Sequence, residues 1–370
     1  MPKQTSQIIE LIKEGKTCNQ ICEVMNLTNR QLYLRLMNLE NKGLFFRRKY
    51  YSDGNIIYQP ITKIKVLRGY KENLSGEIIT RPDENEIKVM VISDTHFGNK
   101  LERLDLLDRV YNYCIKNNIH LIFNCGDIID GTFGQSEKRI KDTYGQIDYL
   151  IKKYPFDKSI LTFAVGGDHD LSALRYNFQD IIEIIKNYRH DIIIENYFNS
   201  IVNIKNDRLL LHHREVERKS NSDGRNIDYK EITPIILNGH IHKYAIEQTR
   251  NDGVVSAFVP SLSDINNSFP TALELTISFS KGYISNAVFK QIYFGAKDVT
   301  LSEANFDLSN RTITQSPTIM FEEPYSFDVK EESDIEETSQ RIAEQETKPL
   351  VKKLERPSQI DRFNQRYNLE

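Results

Sequence analysis

Five short apolar runs, each leading directly into Asp or His, constrain this chain more than any other feature. Lys88-Val-Met-Val-Ile-Ser93 runs into Asp94-Thr-His96, and Leu121-Ile-Phe-Asn124 into Gly126-Asp127-Ile-Ile-Asp130. Leu161-Thr-Phe-Ala-Val165 precedes Gly167-Asp168-His169-Asp170, Leu209-Leu-Leu211 precedes His212, and Pro234-Ile-Ile-Leu237 precedes Gly239-His240-Ile-His242. Runs this short and this continuously apolar read as strands buried on both faces of a largely parallel sheet. Every Asp and His then falls just past the carboxyl end of a strand, where open α/β sheets build their sites.

The donors are hard carboxylate oxygens and imidazole nitrogens, numerous enough to hold two divalent metals a few Å apart. Such a pair clamps the non-bridging oxygens of a phosphate ester and supplies a hydroxide nucleophile at neutral pH, which no single side chain here could do. A purely structural origin would have to place six of the eight histidines at or beside strand ends by chance. His120 and His190 lie outside every motif and read as structural.

In order and spacing these motifs resemble the calcineurin-like metallophosphoesterase superfamily, from about Lys88 to Phe294. The resemblance implies a four-layer α/β/β/α sandwich. It implies that Asp94, His96 and His242 bind a first metal, that Asp168, His212 and His240 bind a second, and that Asp127 bridges the two. The ions would be Mn2+, with Fe, Zn, Mg and Ni as alternatives. Asp130 would be a buried partner of its loop, and Ala257-Phe-Val-Pro-Ser261 resembles the strand after the last motif in repair exonucleases. His169, oriented by Asp170, would protonate the leaving oxygen or stabilise the transition state.

Two departures stand out. Asp168 occupies a position where the family usually has Asn, so a neutral ligand becomes a carboxylate. His213 and Arg214 follow His212 where many members have Gly. His212 directly ends the apolar run and is the expected ligand, with His213 as its competitor. Asp94-Thr-His-Phe-Gly98 and Gly239-His-Ile-His-Lys243 look most like catalytic subunits of double-strand-break repair exonucleases, which implies nuclease activity on DNA. The superfamily also hydrolyses nucleotides and phosphoproteins, and a DNA-binding protein with a vestigial metal site is a further alternative.

At 370 residues the chain exceeds one ordinary core. The expected divisions are a small module over 1–68, a linker over 69–86, the catalytic domain over 87–300 and an acidic, disordered tail over 301–370. In the first module, Thr17-Cys-Asn-Gln20 and Thr28-Asn-Arg-Gln31 are capping boxes that open a second and a third helix, and Gly43 closes the third. Ser52-Asp53-Gly54 is a turn between two strand-like runs. Three helices and a hairpin, with the Leu-x-x-Leu-x-x-x-Gly-Leu ending from Leu36 to Leu44, resemble a winged helix-turn-helix.

That resemblance implies DNA as a partner, with Asn29, Arg30, Tyr33 and Arg35 in the major groove and Arg47, Arg48 and Lys49 on phosphates. Residues 1–80 hold thirteen Lys and Arg against seven Asp and Glu, a net of +6 in a chain of net −3, which suits a polyanion. Winged helices also serve as protein-docking or regulatory modules. The loop from Arg214 to Lys230, rich in Lys, Arg, Asn and Ser, is a further candidate for strand contacts.

In the tail, residues 322–346 hold ten acidic against two basic residues. They offer a surface for a protein partner and no material for a core. No apolar run approaches membrane-spanning length, which argues against a membrane protein, and Cys18, Cys22, Cys114 and Cys125 fit no CxxC spacing. A cytoplasmic protein of undetermined oligomeric state is expected.

Overall fold

The computed structural model describes residues 2–42, 44–60, 74–134, 138–213, 233–248, 253–265, 269–295 and 297–309. Three helices come first, α1 (Pro2–Lys13), α2 (Cys18–Met25) and α3 (Asn29–Asn41), then a hairpin of β1 (Phe46–Tyr51) and β2 (Ile56–Pro60). Both capping boxes form. The Thr17 and Thr28 hydroxyls accept from the backbone N–H three residues on, and the Gln20 and Gln31 side chains accept from the threonine backbone in return.

The chain continues through β3 (Leu74–Ile79), β4 (Glu86–Ile92), α4 (Leu104–Lys116), β5 (Leu121–Asn124), α5 (Thr143–Lys153) and β6 (Leu161–Ala164). Then come α6 (Asp168–Asn177), α7 (Ile181–Tyr188), β7 (Ile192–Ile194), β8 (Asn199–Ile204), β9 (Asp207–His212) and β10 (Ile235–Asn238). The last strands are β11 (Ala245–Gln248), β12 (Val255–Phe258), β13 (Ala272–Ser280), β14 (Tyr283–Phe294) and β15 (Asp298–Asp307).

The α/β sandwich anticipated from the apolar runs is present as two sheets. One has seven strands in the order β15-β14-β13-β4-β5-β6-β7, with β4 to β7 parallel. The other has eight in the order β11-β12-β10-β9-β8-β3-β1-β2, with β9, β10 and β12 parallel at its centre. Strand alternation divides the core. Val89 and Val91 of β4 face the interior between the sheets, with Leu209, Leu211, Leu237 and Leu275. Met90 and Ile92 face the opposite way, onto the apolar sides of α4, α5 and α7. On the outer face of the eight-stranded sheet, Leu210, Ile236 and Val254 form a small cluster with Ile201.

Several sequence boundaries move. The stretch read as a linker contains β3, which pairs with β8 on one side and β1 on the other and buries Ile78 in the inter-sheet core. Its Gly and charged residues masked a short apolar end, Ile78-Ile79. The hairpin is thereby continuous with the rest of the eight-stranded sheet. Its tip also docks, because Gly54 has φ +79 and a Cβ there would lie 2.0 Å from the Ser159 carbonyl oxygen. Only glycine fits both conditions.

Helices α6 and α7 are separated where Phe178 turns left-handed and Asp180 caps α7 by accepting from the Ile182 and Glu183 N–H groups. Helix α5 begins at Thr143, capped by Asp142. The seven-stranded sheet also runs past residue 300, since β15 pairs with β14 through Asp307. Gly43, the loop 214–230 and the acidic stretch of the tail lie outside the described residues.

Helix α3 meets α7, which corrects the reading of Tyr33 as a base contact. Tyr33 is 2% exposed and stacks on His190 at 4.2 Å, while the Tyr58 hydroxyl lies 2.9 Å from His190 Nδ1. Asn19 donates to the Lys158 carbonyl at 3.0 Å. The other proposed DNA contacts are also engaged in part: Asn29 donates to Asn19, Arg35 to Gln4, and Arg48 pairs with Glu40 at 3.7 Å. Arg30 and Lys49 are half-buried and Arg47 is exposed. No helix among the described residues is long and apolar enough to cross a membrane. All four cysteines are free and buried.

Candidate metal centre

The carboxyl ends of β4, β5, β6, β9 and β10 converge, and the chain turns sharply at each to aim a donor inward. Asp94, His96, Asp127, His240 and His242 all have positive φ, between 46° and 79°. Non-glycine residues rarely adopt this conformation, and its concentration on five donors marks backbone strain held by the surrounding core. Gly126, at φ 101, permits a close approach of the strands, since a Cβ there would lie 2.2 Å from Gly166 O and 2.5 Å from His213 Nδ1.

Three overlapping groups of donor atoms result, each drawn together within 4.8 Å: Asp94, His96 and His242; His96, Asp127 and His169; and Asp127, His213 and His240. Asp127 and His96 each belong to two groups, so the cluster is one elongated site with Asp127 at its centre. Asp94 Oδ1 lies 3.2 Å from His242 Nε2, and Asp127 Oδ2 lies 3.2 Å from His213 Nε2. Asp168, at the start of α6, brings Oδ2 to 3.9 Å from His240 Nδ1.

His213 therefore replaces His212 in the expected ligand set. Alternation along β9 puts Leu209 and Leu211 on the interior face, and the next residue in phase is His213; Leu210 and His212 share the outer face. His213 is fully buried with Nδ1 2.8 Å from the Cys125 carbonyl, whereas His212 Nδ1 meets Asn238 Oδ1 at 2.9 Å. Direct adjacency to the apolar run pointed to His212, but the period-two alternation of β9 carries His213, not His212, to the interior face.

The role given to Asp170 is also corrected. Its carboxylate accepts from the Ile128 and Ile129 N–H groups, bracing the loop after β5, and burial followed by the Asp127 charge pushes its pKa up to about 7. His169 is oriented by a backbone group instead, with Nδ1 2.7 Å from the Asp130 carbonyl. Asp130 is buried, accepts from Asn99 at 2.8 Å and lies 3.6 Å from the buried Lys138 ammonium. Asn99 and Lys138 carried no motif signal, because a bridge between distant loop positions brings them here. His120 and His190 hold structural contacts, to the Ser159 carbonyl and the Tyr58 hydroxyl.

The donors fit a pair of cations. Asp94 Oδ1, His96 Nε2, Asp168 Oδ2 and His213 Nε2 are buried and have no hydrogen-bond partner, a costly arrangement unless something electrophilic is bound among them. The electrostatics point the same way. Burial opposes charge on Asp127, but His213 outweighs it and holds the carboxyl well below the usual range. Burial likewise opposes a proton on His213, yet Asp127 raises it to about 10. Asp94 is held low by His242 against the effect of burial, and His242 is raised by Asp94 in turn. His96, by contrast, is pushed down to about 3 by burial and then by His169. Positive charge is stabilised at the two places where carboxylate and imidazole meet.

Residues 87–264 match the calcineurin-like phosphoesterase family. Similar solved structures include a novel archaeal phosphodiesterase, at 14% identity over 58% of this chain and 100% of that one, with a TM-score of 0.35. Vacuolar Protein Sorting 29 from Cryptosporidium Parvum is 13% identical over 60% and 100% of the two chains, with a TM-score of 0.37. Yfce, a phosphoesterase from E. coli, is 15% identical over 58% and 100%, with a TM-score of 0.32. No curated protein matches the chain. Residues 87–264, the stretch that carries every donor of the cluster, are thus the part of this chain that is similar to the calcineurin-like phosphoesterases.

Proposed function

We propose that this chain is a dinuclear-metal phosphodiesterase whose substrate is nucleic acid. The observation that carries the first half is the convergence of buried, unpartnered donor atoms around Asp127. Asp94, His96, His242 and Asp127 would hold one ion, and Asp127, Asp168, His213 and His240 the other. The mixed carboxylate and imidazole set accepts Mn2+, the ion we propose, as well as Zn, Fe, Ni or Mg. When bound, the two ions supply Lewis-acid polarisation of the phosphate and activation of water.

The chain's own residues do the rest. His169, with Nδ1 fixed on the Asp130 carbonyl, has Nε2 left to protonate the leaving oxygen, and its side chain is 27% exposed toward solvent. Asp170 and Asp130 hold the loop that presents it. The nucleic-acid half is supported by the two stretches around Asp94 and His240 that resemble repair exonucleases. It does not rest on α3, whose Tyr33 is buried against His190. We read the N-terminal module as an integral support of the fold that could also dock a protein.

The test is a panel of single-stranded DNA, duplex DNA, RNA, cyclic nucleotides and bis(4-nitrophenyl) phosphate, with metal-stripped protein and after Mn2+ addition. Mn2+-dependent cleavage of DNA or RNA is expected, abolished in His240→Ala. Undiminished activity of metal-stripped His240→Ala would overturn the two-metal assignment. Hydrolysis confined to cyclic nucleotides or small esters would overturn the nucleic-acid half.

A further inference from the structure

We propose that Phe133 and Tyr176 form a platform on which one base of the substrate stacks, beside the phosphate being cut. The inference rests on the nucleic-acid reading and deepens it. A chain of rings leads out of the metal cluster. His96 meets His169 at 4.6 Å, His169 meets Phe133 at 5.0 Å, and Phe133 meets Tyr176 at 6.5 Å. The first ring is buried, His169 is partly open, and Phe133 and Tyr176 are 42% and 55% exposed. Two large aromatic rings are thus kept in water, in contact with each other, and Phe133 also meets the proposed proton donor.

Local structure fixes them there. Phe133 follows Gly131 and Thr132, whose backbone N–H groups donate to Gln146 and the Ser172 hydroxyl, so its stretch of loop is tied to α5 and α6. Tyr176 sits on the last turn of α6, the helix that begins with Asp168 and His169. One rigid element thus carries a proposed metal ligand, the proton donor and one wall of the platform.

The chemistry favours a base over other occupants. Along the chain the rings are flanked by polar residues, Thr132 before Phe133 and Arg175 and Asn177 on either side of Tyr176, so they suit a flat group more than an acyl chain. Arg175, exposed next to Tyr176 on α6, suits a neighbouring phosphate. Aromatic faces accept any base, so the site would bind single strands with little sequence preference.

The test compares a dinucleotide containing one phosphodiester with analogues lacking the base on one side or the other, with bis(4-nitrophenyl) phosphate as a control. In wild type, removing the stacked base should lower kcat/KM by about 5- to 150-fold. In Tyr176→Ala and Phe133→Ala that preference should collapse toward unity, and Phe133→Trp should restore it. A structural effect transmitted through His169 would lower all rates and leave the preference intact, which would overturn the platform. So would a wild type indifferent to the missing base. Hydrolysis of the 4-nitrophenyl ester with no cleavage of any dinucleotide would instead sink the nucleic-acid reading itself.

Discussion

Replacing His213 and His212 separately distinguishes the ligand from its neighbour. His213 is fully buried, its Nε2 lies 3.2 Å from Asp127, and that nitrogen has no hydrogen-bond partner. His213→Gln should therefore lose one ion of the pair. Loss of an ion that stabilises transition-state charge by several kcal/mol, about 4, corresponds to roughly a 10³-fold fall in kcat. Without metal the variant also leaves Asp127 buried with a weaker partner, and breaking such a pair costs about 3 to 5 kcal/mol of stability. His212 touches Asn238 on the outer face, so His212→Gln should stay within about tenfold of wild type. Metal content by mass spectrometry, kcat on bis(4-nitrophenyl) phosphate and urea midpoints of the metal-stripped proteins supply the readouts. Full metal content in His213→Gln, with loss in His212→Gln, would refute the alternation argument.

Three further outcomes are expected. His169→Ala should keep its metal but lose about 10² to 10⁴ in turnover, the usual range for a proton donor; loss of metal would make it a ligand. Asp168→Asn removes one carboxylate beside His240, so it should weaken the second ion and raise turnover at saturating metal, as a titration of activity with Mn2+ would show; slower turnover with an unmoved midpoint would refute the charge argument. Burial, and then the charge of Arg48, holds His190 well below its ordinary pKa. Below about pH 6.5 the unfolded chain binds a proton the folded one refuses, so stability should fall with acid at up to about 1.4 kcal/mol per pH unit. His190→Phe should lack that increment in urea unfolding at pH 7.5 and 5.0, and equal losses in both proteins would place the sensitive group elsewhere.

Much of the site was legible because its signals are local. A run such as Lys88 to Ser93 announces a buried strand, and the donor that follows it is placed by the strand's end. What was misread depended on phase or on distant contacts. His212 and His213 differ only in which face of β9 they occupy, and one residue of register reverses that. Asp170 stood beside His169 in sequence, yet Asp130, 39 residues away, supplies the orienting carbonyl. Leu74 to Ile79 looked like a linker because its pairing partners, β8 and β1, are remote. Tyr33 satisfied a winged-helix pattern, which describes the module alone and says nothing of what the module packs against.

The N-terminal module and the phosphoesterase domain share one core. Ile8, Leu32, Leu36 and Tyr58 belong to the same buried cluster as Val91, Phe163 and Leu237, and β3 joins the hairpin to the catalytic sheet by hydrogen bonds. A module tethered by a flexible linker could turn its third helix toward DNA without cost. Here that motion would unstack Tyr33 from His190, break the Tyr58 contact and strip the Gly54 turn from Ser159. Each of these groups is buried, so the module would have to separate from the core before α3 could enter a groove. On the proposed nucleic-acid reading, the substrate would therefore meet the donor cluster with its exposed Phe133 and Tyr176 rather than the third helix.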